Sequence, residues 1–332
     1  MSPVTHRYPS IDYLRVILAC CVVFAHTVLM TGYEFRWMTE IGYGLLRLVV
    51  PTFALLSGFG LFHTAIRNRL SGWLRGLVIL YATWVIIYAP LWLRPVESGA
   101  EVLHQVVNGP MHLWYVACLV QIVAIIWLVR QTVPVRHQGM ALAAAAVLAA
   151  IVASLAQYND RYAFVGPWFA LPRANVLYLL PFVVEGFLLA HWIARRGRGA
   201  LPSAVLLWGL VAGLLVLRLV EVRWLMDTGA VPLKDPPEFP VLLYLVPVLI
   251  VMAVMRMDVP ATRLNLSSAS VIIYLMHIGI IFAFITIGIT HMWLVLATAI
   301  VVPFLSAMAL PHVPIVSGIN RKLSRTSSVP RS

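Results

Sequence analysis

Charge is what this sequence has least of. Asp, Glu, Lys and Arg together make up 11% of the 332 residues, and only 12 residues are acidic, so the chain cannot clothe itself in an ordinary water-facing surface. Cysteine is scarce as well. Cys20, Cys21 and Cys118 all fall in apolar runs, which excludes a disulfide framework or a metal-ligand spacing and assigns the three to packing. Long polar stretches are missing too, so no separate soluble domain is expected between the apolar runs. The first run has no small-x-small cleavage site and carries His26, unlike a signal peptide, and is expected to stay in the protein. What the chain has in abundance is apolar residues, 61% of the total, with a mean hydropathy of +0.91.

Ten apolar runs approach the ~20 residues a helical membrane span needs. They cover roughly 11–30, 41–63, 73–93, 111–130, 140–157, 172–193, 201–220, 240–256, 267–289 and 292–310, with Pro, Gly or charged residues between them. Only the region of His291 divides the last two. The expected fold is all-α and polytopic, with about ten transmembrane helices in one domain over 1–312 and a basic tail over 313–332. If the N-terminus is inside, the inner segments hold Arg7, Arg15, Arg67, Arg69, Arg75, Arg130, Arg136, Arg195, Arg196, Arg198, Arg256, Arg263 and the tail's Arg321, Lys322, Arg325 and Arg331. That is 16 of the 24 basic residues. Glu34, Glu40, Glu97, Glu101, Asp160, Glu221, Asp227, Asp235 and Glu238 then lie outside. The distribution predicts a multi-pass protein of the cell (inner or plasma) membrane with both termini cytoplasmic. The formal charge of +12 is spread over short loops at alternate helix ends, which points to anionic lipid headgroups and an anionic cytoplasmic ligand and away from nucleic acid.

Polar residues inside the spans are the informative ones, because an ionised side chain at depth costs on the order of 2.5–3.5 kcal/mol and usually faces a bundle interior or an aqueous cavity. In IDYLRVILACCVVFAHT (11–27), Arg15 and His26 are eleven positions apart, three turns at ~100° per residue, and share one face about 16 Å apart along the axis. Asp12, Ala19 and Val22 complete that stripe, small in its middle, where another object can approach the backbone. Ser10 is a candidate cap and Asp12 suits the helix dipole. The second span, LLRLVVPTFALLSGFGLFH, repeats the pattern with Arg47, Pro51, Ala54 and Gly58. Arg47 is expected about 9 Å below the outer surface, at a depth like that of His26, so an outer-half pocket shared by the two is expected.

Further polar residues extend this picture. Glu185 falls in the inner half of the sixth span, at a level where Arg15 or another cation can pair with it, and His277 falls near mid-membrane on the ninth. His112, Trp114 and Tyr115 open the fourth span on the outer side. Each has a structural alternative: helix-packing hydrogen bonds for His112 and His277, an aromatic belt for Trp114 and Tyr115, snorkelling for Arg173 and Arg218.

These residues resemble a known family. Asp12, Leu14 and Arg15 followed by His26 are similar to the D-x-L-R start and arginine-x10-histidine motif of membrane acyltransferase family 3. The resemblance continues in VPTFALLSGF (50–59), HLWYVACL (112–119) and YLMH (274–277), in order along most of the chain. One departure is that RNRLSGWLRGLVILYATW carries Arg67, Arg69 and Arg75 where the family often has a compact basic pair leading to a proline-bearing helix. The hydrolase-like domain fused to some members is not seen. The resemblance implies transfer of an acyl group, most often acetyl, from cytoplasmic acyl-coenzyme A to a hydroxyl of an extracytoplasmic glycan or lipid-linked saccharide, with no metal; a homodimer is compatible with it.

That chemistry gives the polar residues tasks. The polyanionic donor needs inner cations, and Arg15, Arg69 and Arg75 are expected to supply them, with Ser57 of the S-G-F segment at the donor site. Its pantetheine arm would follow the small-residue stripe. His26, with Arg47 near it, is the expected catalytic pair, the imidazole acting as general base or as a covalent acyl carrier. A secondary transporter or flippase uses the same intramembrane residue types. No clear inverted repeat favours it, and a non-catalytic sensor leaves His26 and Arg47 without a task.

Overall fold

A computed structural model describes residues 8–33, 42, 44–162, 164–166, 169, 175–228 and 241–309. The tail 313–332, Arg7, Arg173, Glu34, Glu40, Asp235 and Glu238 lie outside them. All regular structure among the described residues is helical. The helices are α1 (Pro9–Thr31), α2 (Val49–Ala65), α3 (Leu70–Ile87), a short α4 (Ala89–Trp92), α5 (Gly99–Asn108), α6 (Trp114–Thr132), α7 (Val135–Tyr162), α8 (Val176–Arg196), α9 (Ala204–Thr228), α10 (Val246–Met255), α11 (Leu266–Thr286) and α12 (Met292–Ala309).

Nine of the ten predicted runs coincide with helices long and apolar enough to cross a membrane, counted among the described residues. The run at 240–256 becomes a shorter apolar helix, Val241–Met255. Its first turn is 3-10, and Pro247 stands in the opening turn of α10, where a residue without an N–H starts a helix more readily than it continues one. The last two runs separate at Gly288, whose φ of +80° is the left-handed conformation that ends α11. Outward side chains are apolar, such as Val205, Leu29 and Ile86 at 85%, 76% and 72% exposed. α3 buries only Leu70 and Val85. Greasy exteriors of this extent belong against lipid, and the protein is a multi-pass membrane protein.

Local sequence explains where α1 begins. Pro9 occupies the first turn, Tyr8 is the cap in extended conformation, and Asp12 lies in the first turn, an arrangement that proline and the dipole both favour. Ser10, expected as the cap, is instead inside the helix and buried. At the other end Gly32 closes α1 with φ 68°.

The chain forms two compact units. Unit 1 joins the two ends of the sequence, Met1–Tyr33 with Val259–Ser332, and unit 2 is Glu34–Asp258. In unit 1, α1 packs against α11 and α12. In unit 2, the closest partnership is between α2 and α8. Here a Cβ on Gly58 would lie 1.8 Å from the Val183 carbonyl oxygen, and one on Gly186 would lie 1.8 Å from that of Leu55. The two backbones touch through reciprocal glycines, the contact by which membrane helices gain van der Waals packing in the absence of a hydrophobic drive. Pro51, Ala54 and Gly58 are buried, so the small-residue face behind Arg47 is occupied by protein.

Candidate active site

Unit 1 carries the first group. Arg15 Nη1 donates to Ser267 Oγ at 2.8 Å, close to the start of α11, where Asn265 caps the helix by accepting from Ser268 N. Three turns further along α1, His26 Nδ1 lies 3.0 Å from His277 Nε2, with ring centroids 5.1 Å apart. The second imidazole is anchored in turn. His277 Nδ1 lies 2.7 Å from the Tyr274 carbonyl oxygen and 3.2 Å from that of Ile273. His277 is fully buried, while His26 is partly exposed.

The spacing of these two bonds sets the register. Eleven residues on α1 match ten on α11, about 16 Å against about 15 Å of rise, so the two helices run parallel. His26, expected in the outer half, and His277, expected near the middle, thus meet at one level. Between the stations, Ala19 is fully buried and Val22 is 5% exposed. The stripe read as a track for a pantetheine arm is covered by protein. Asp12 is buried at the foot of the same face.

Unit 2 carries the second group. Ser57 and Tyr115 join α2 to α6 through a 2.8 Å bond between their hydroxyls. Before them, Met111 adopts φ 54°, a left-handed position that costs a non-glycine residue about 1–2 kcal/mol, and the turn Met111–Leu113 buries His112. The edge of Tyr88 meets His112 at 5.0 Å and 88°, an aromatic packing contact. Trp114 opens α6 half-buried. Glu185 is on α8, with Oε2 buried and without a hydrogen-bond partner among the described residues. One turn earlier Phe182 stacks on Tyr244 at 5.0 Å.

Basic residues gather at one end of unit 2. Arg130 Nη2, in the last turn of α6, donates to the Ala65 carbonyl at the end of α2. Phe62 meets His191, near the end of α8, at 5.5 Å. The same end therefore brings together Arg67, Arg69, Arg130, Arg195 and Arg196, with Arg75 a turn and a half into α3. Arg67, Arg69 and Arg75 are exposed.

Arg218 departs most from expectation. It does not snorkel: it is 0% exposed and its Nε donates to the Gly44 carbonyl at 2.7 Å. Glu221, one turn on, accepts from the Tyr158 hydroxyl and from Leu242 N, and Arg47 lies within electrostatic reach of the buried guanidinium. Spacing 218/221 places a cation and an anion on neighbouring positions of one helix face, which is the signal that hydropathy alone hides. His26 and Arg47, expected as a pair, fall in different units.

The described geometry defines a class: a helical, multi-pass membrane protein with a paired imidazole inside a span and a cationic helix end. Comparison with known families is more specific, since a family model described as an acyltransferase domain matches residues 8–311. The chain belongs to the acyltransferase 3 family, and its activity in general terms is acyl transfer. No curated protein matches the chain, and no solved structure does.

Proposed function

We propose that this membrane acyltransferase takes an acyl group, acetyl foremost, from cytoplasmic acyl-coenzyme A and passes it to a hydroxyl of an extracytoplasmic glycan or lipid-linked saccharide. The observation that carries the reading is the contact of His26 with His277 inside a span. A partly exposed imidazole backed by a buried one suits a base that meets substrate on one side. The exposed arginines at the basic end of unit 2, Arg69 and Arg75 among them, suit the phosphates of the donor.

In the reaction, His26 removes the proton of the acceptor hydroxyl as its oxygen attacks the thioester carbonyl. The tetrahedral intermediate collapses, the C–S bond breaks, and the departing thiolate recovers the proton from His26. Ester and free coenzyme A thiol are the products. The inner or plasma membrane is the expected site of action, because donor and acceptor are then supplied from opposite faces.

The test is transfer from acetyl-labelled coenzyme A to chito-oligosaccharide in proteoliposomes, wild type against His26→Ala. The expected result is a fall of at least about 100-fold with donor binding retained. Equal transfer by both proteins would remove His26 from the chemistry. Saccharide flux with no coenzyme A turnover would favour transport.

A further inference from the structure

We propose that the pantetheine arm of the acyl-coenzyme A lies along one open strip of α8, with its phosphates at Arg196 and one of its amide N–H groups bonded to Glu185. The inference rests on the acyl-transfer reading above and names a track that the covered face of α1 does not provide.

α8 is buried over most of its surface. Between Tyr178 and Ile193, only Glu185, Leu188, His191 and Trp192 are half-buried or exposed. Trp192 and Arg196 follow Glu185 by seven and eleven positions, so the three lie within about 20° of one line along the helix, with Leu188 beside it. Arg196 is exposed at the basic end of unit 2. From there the strip runs about 16 Å into the middle of the span.

The inner end of this strip lacks a partner. Glu185 Oε2 is buried without a hydrogen-bond partner among the described residues, and no charged side chain among them offsets it. A carboxyl at this depth needs a polar occupant beside it, because hydrocarbon offers no hydrogen to accept. An orphan of this kind in a folded protein points to a donor from outside the chain.

The strip sets three requirements: an anion at Arg196, an apolar stretch against Trp192 and Leu188, and a hydrogen-bond donor at Glu185. A phospholipid meets the first two, but its acyl chains carry no donor. A saccharide brings donors without the anion or the apolar stretch. Pantetheine joined to a diphosphate meets all three, since its branched carbon chain is followed by two amide N–H groups. The amide nearer the sulfur is about ten bonds from the diphosphate, or ~12 Å at the ~1.2 Å per bond of an extended chain. The side chains of Glu185 and Arg196 cover the rest of the distance. Glu185 holds the arm, and no bond is made or broken at it.

Two measurements on the full chain in detergent test this. In titration calorimetry, Glu185→Leu is expected to weaken coenzyme A binding about tenfold, the worth of one hydrogen bond to a carboxylate. Binding of adenosine 3′,5′-bisphosphate, which lacks the arm, is expected to be unchanged. Glu185→Gln, whose amide oxygen still accepts, should bind coenzyme A within about threefold of wild type. Wild-type affinity for coenzyme A in the Leu variant, or an equal loss of both ligands, overturns the inference. The second measurement needs no variant. Dicyclohexylcarbodiimide, an apolar carboxyl reagent, is expected to label Glu185 in the wild type, as read by peptide mass. Saturating coenzyme A should slow that labelling at least fivefold and the bisphosphate should not. Labelling indifferent to coenzyme A, or slowed by phosphatidylglycerol alone, overturns it. If the wild type binds neither coenzyme A nor the bisphosphate, the acyl-coenzyme A reading itself fails.

Discussion

At the scale of single residues, neighbouring arginines of one helix end have different work. Arg130 donates to the Ala65 carbonyl at the end of α2, whereas Arg69 and Arg75 project from the start of α3 into the open. Arg69→Ala and Arg75→Ala are therefore expected to weaken acyl-coenzyme A binding by roughly two- to fivefold each, the range of exposed ion pairs, and the difference from wild type should shrink at high salt. Titration calorimetry at low and high salt reads both effects. Arg130→Ala is expected to lower the melting temperature and leave affinity within twofold of wild type. The shared helix face is what residue-level reading conveyed best. The face shared by Arg15 and His26 follows from helical periodicity, and both side chains do reach α11. Their partners, about 250 positions away, leave no trace in a local pattern. Ser10 failed as a cap because Pro9 had already fixed the start of the helix, and Arg218 failed to snorkel because a carbonyl at depth gave it a partner.

At the scale of helices, a stripe of small residues says that something comes close without saying what. On α2 the visitor is α8, and Gly58 and Gly186 leave no room for a methyl group. Gly58→Ala and Gly186→Ala are expected to cost about 1–3 kcal/mol each by forcing the backbones apart. Gly213→Ala, where an added Cβ meets nothing within 4 Å, should be neutral or stabilising. Thermal unfolding in detergent separates these outcomes, and equal melting temperatures for all three would contradict the contact. Direction is equally instructive. α1 and α11 run parallel, and in sequence six long apolar helices plus Val241–Met255 come between them among the described residues. Parallel running needs an odd number of crossings in between, so the shorter helix is expected to carry the chain across as well. Reporters fused to the two termini should therefore label from the same face. Labelling from opposite faces would mean that Val241–Met255 turns back.

At the scale of the molecule, composition alone made the membrane legible, and nine of ten spans lie within a few residues of the helices found. The division into units was not legible, because nothing in hydropathy marks the first span as a partner of the last two. The transfer across the bilayer proposed above also has a whole-molecule signature. With donor sealed inside vesicles and acceptor outside, product is expected outside in one orientation of the protein only, and protein inserted the other way round should be silent. Unit 1 also has a history as well as a shape. It is assembled from α1 near the start of the chain and α11 and α12 near its end. A ribosome making this protein releases His26 into the membrane early and must then deliver the whole of unit 2 before His277 exists. During synthesis the first helix waits without its partners, so the histidine pair forms only after unit 2 has been made, and every product cut short before His277 is born without it.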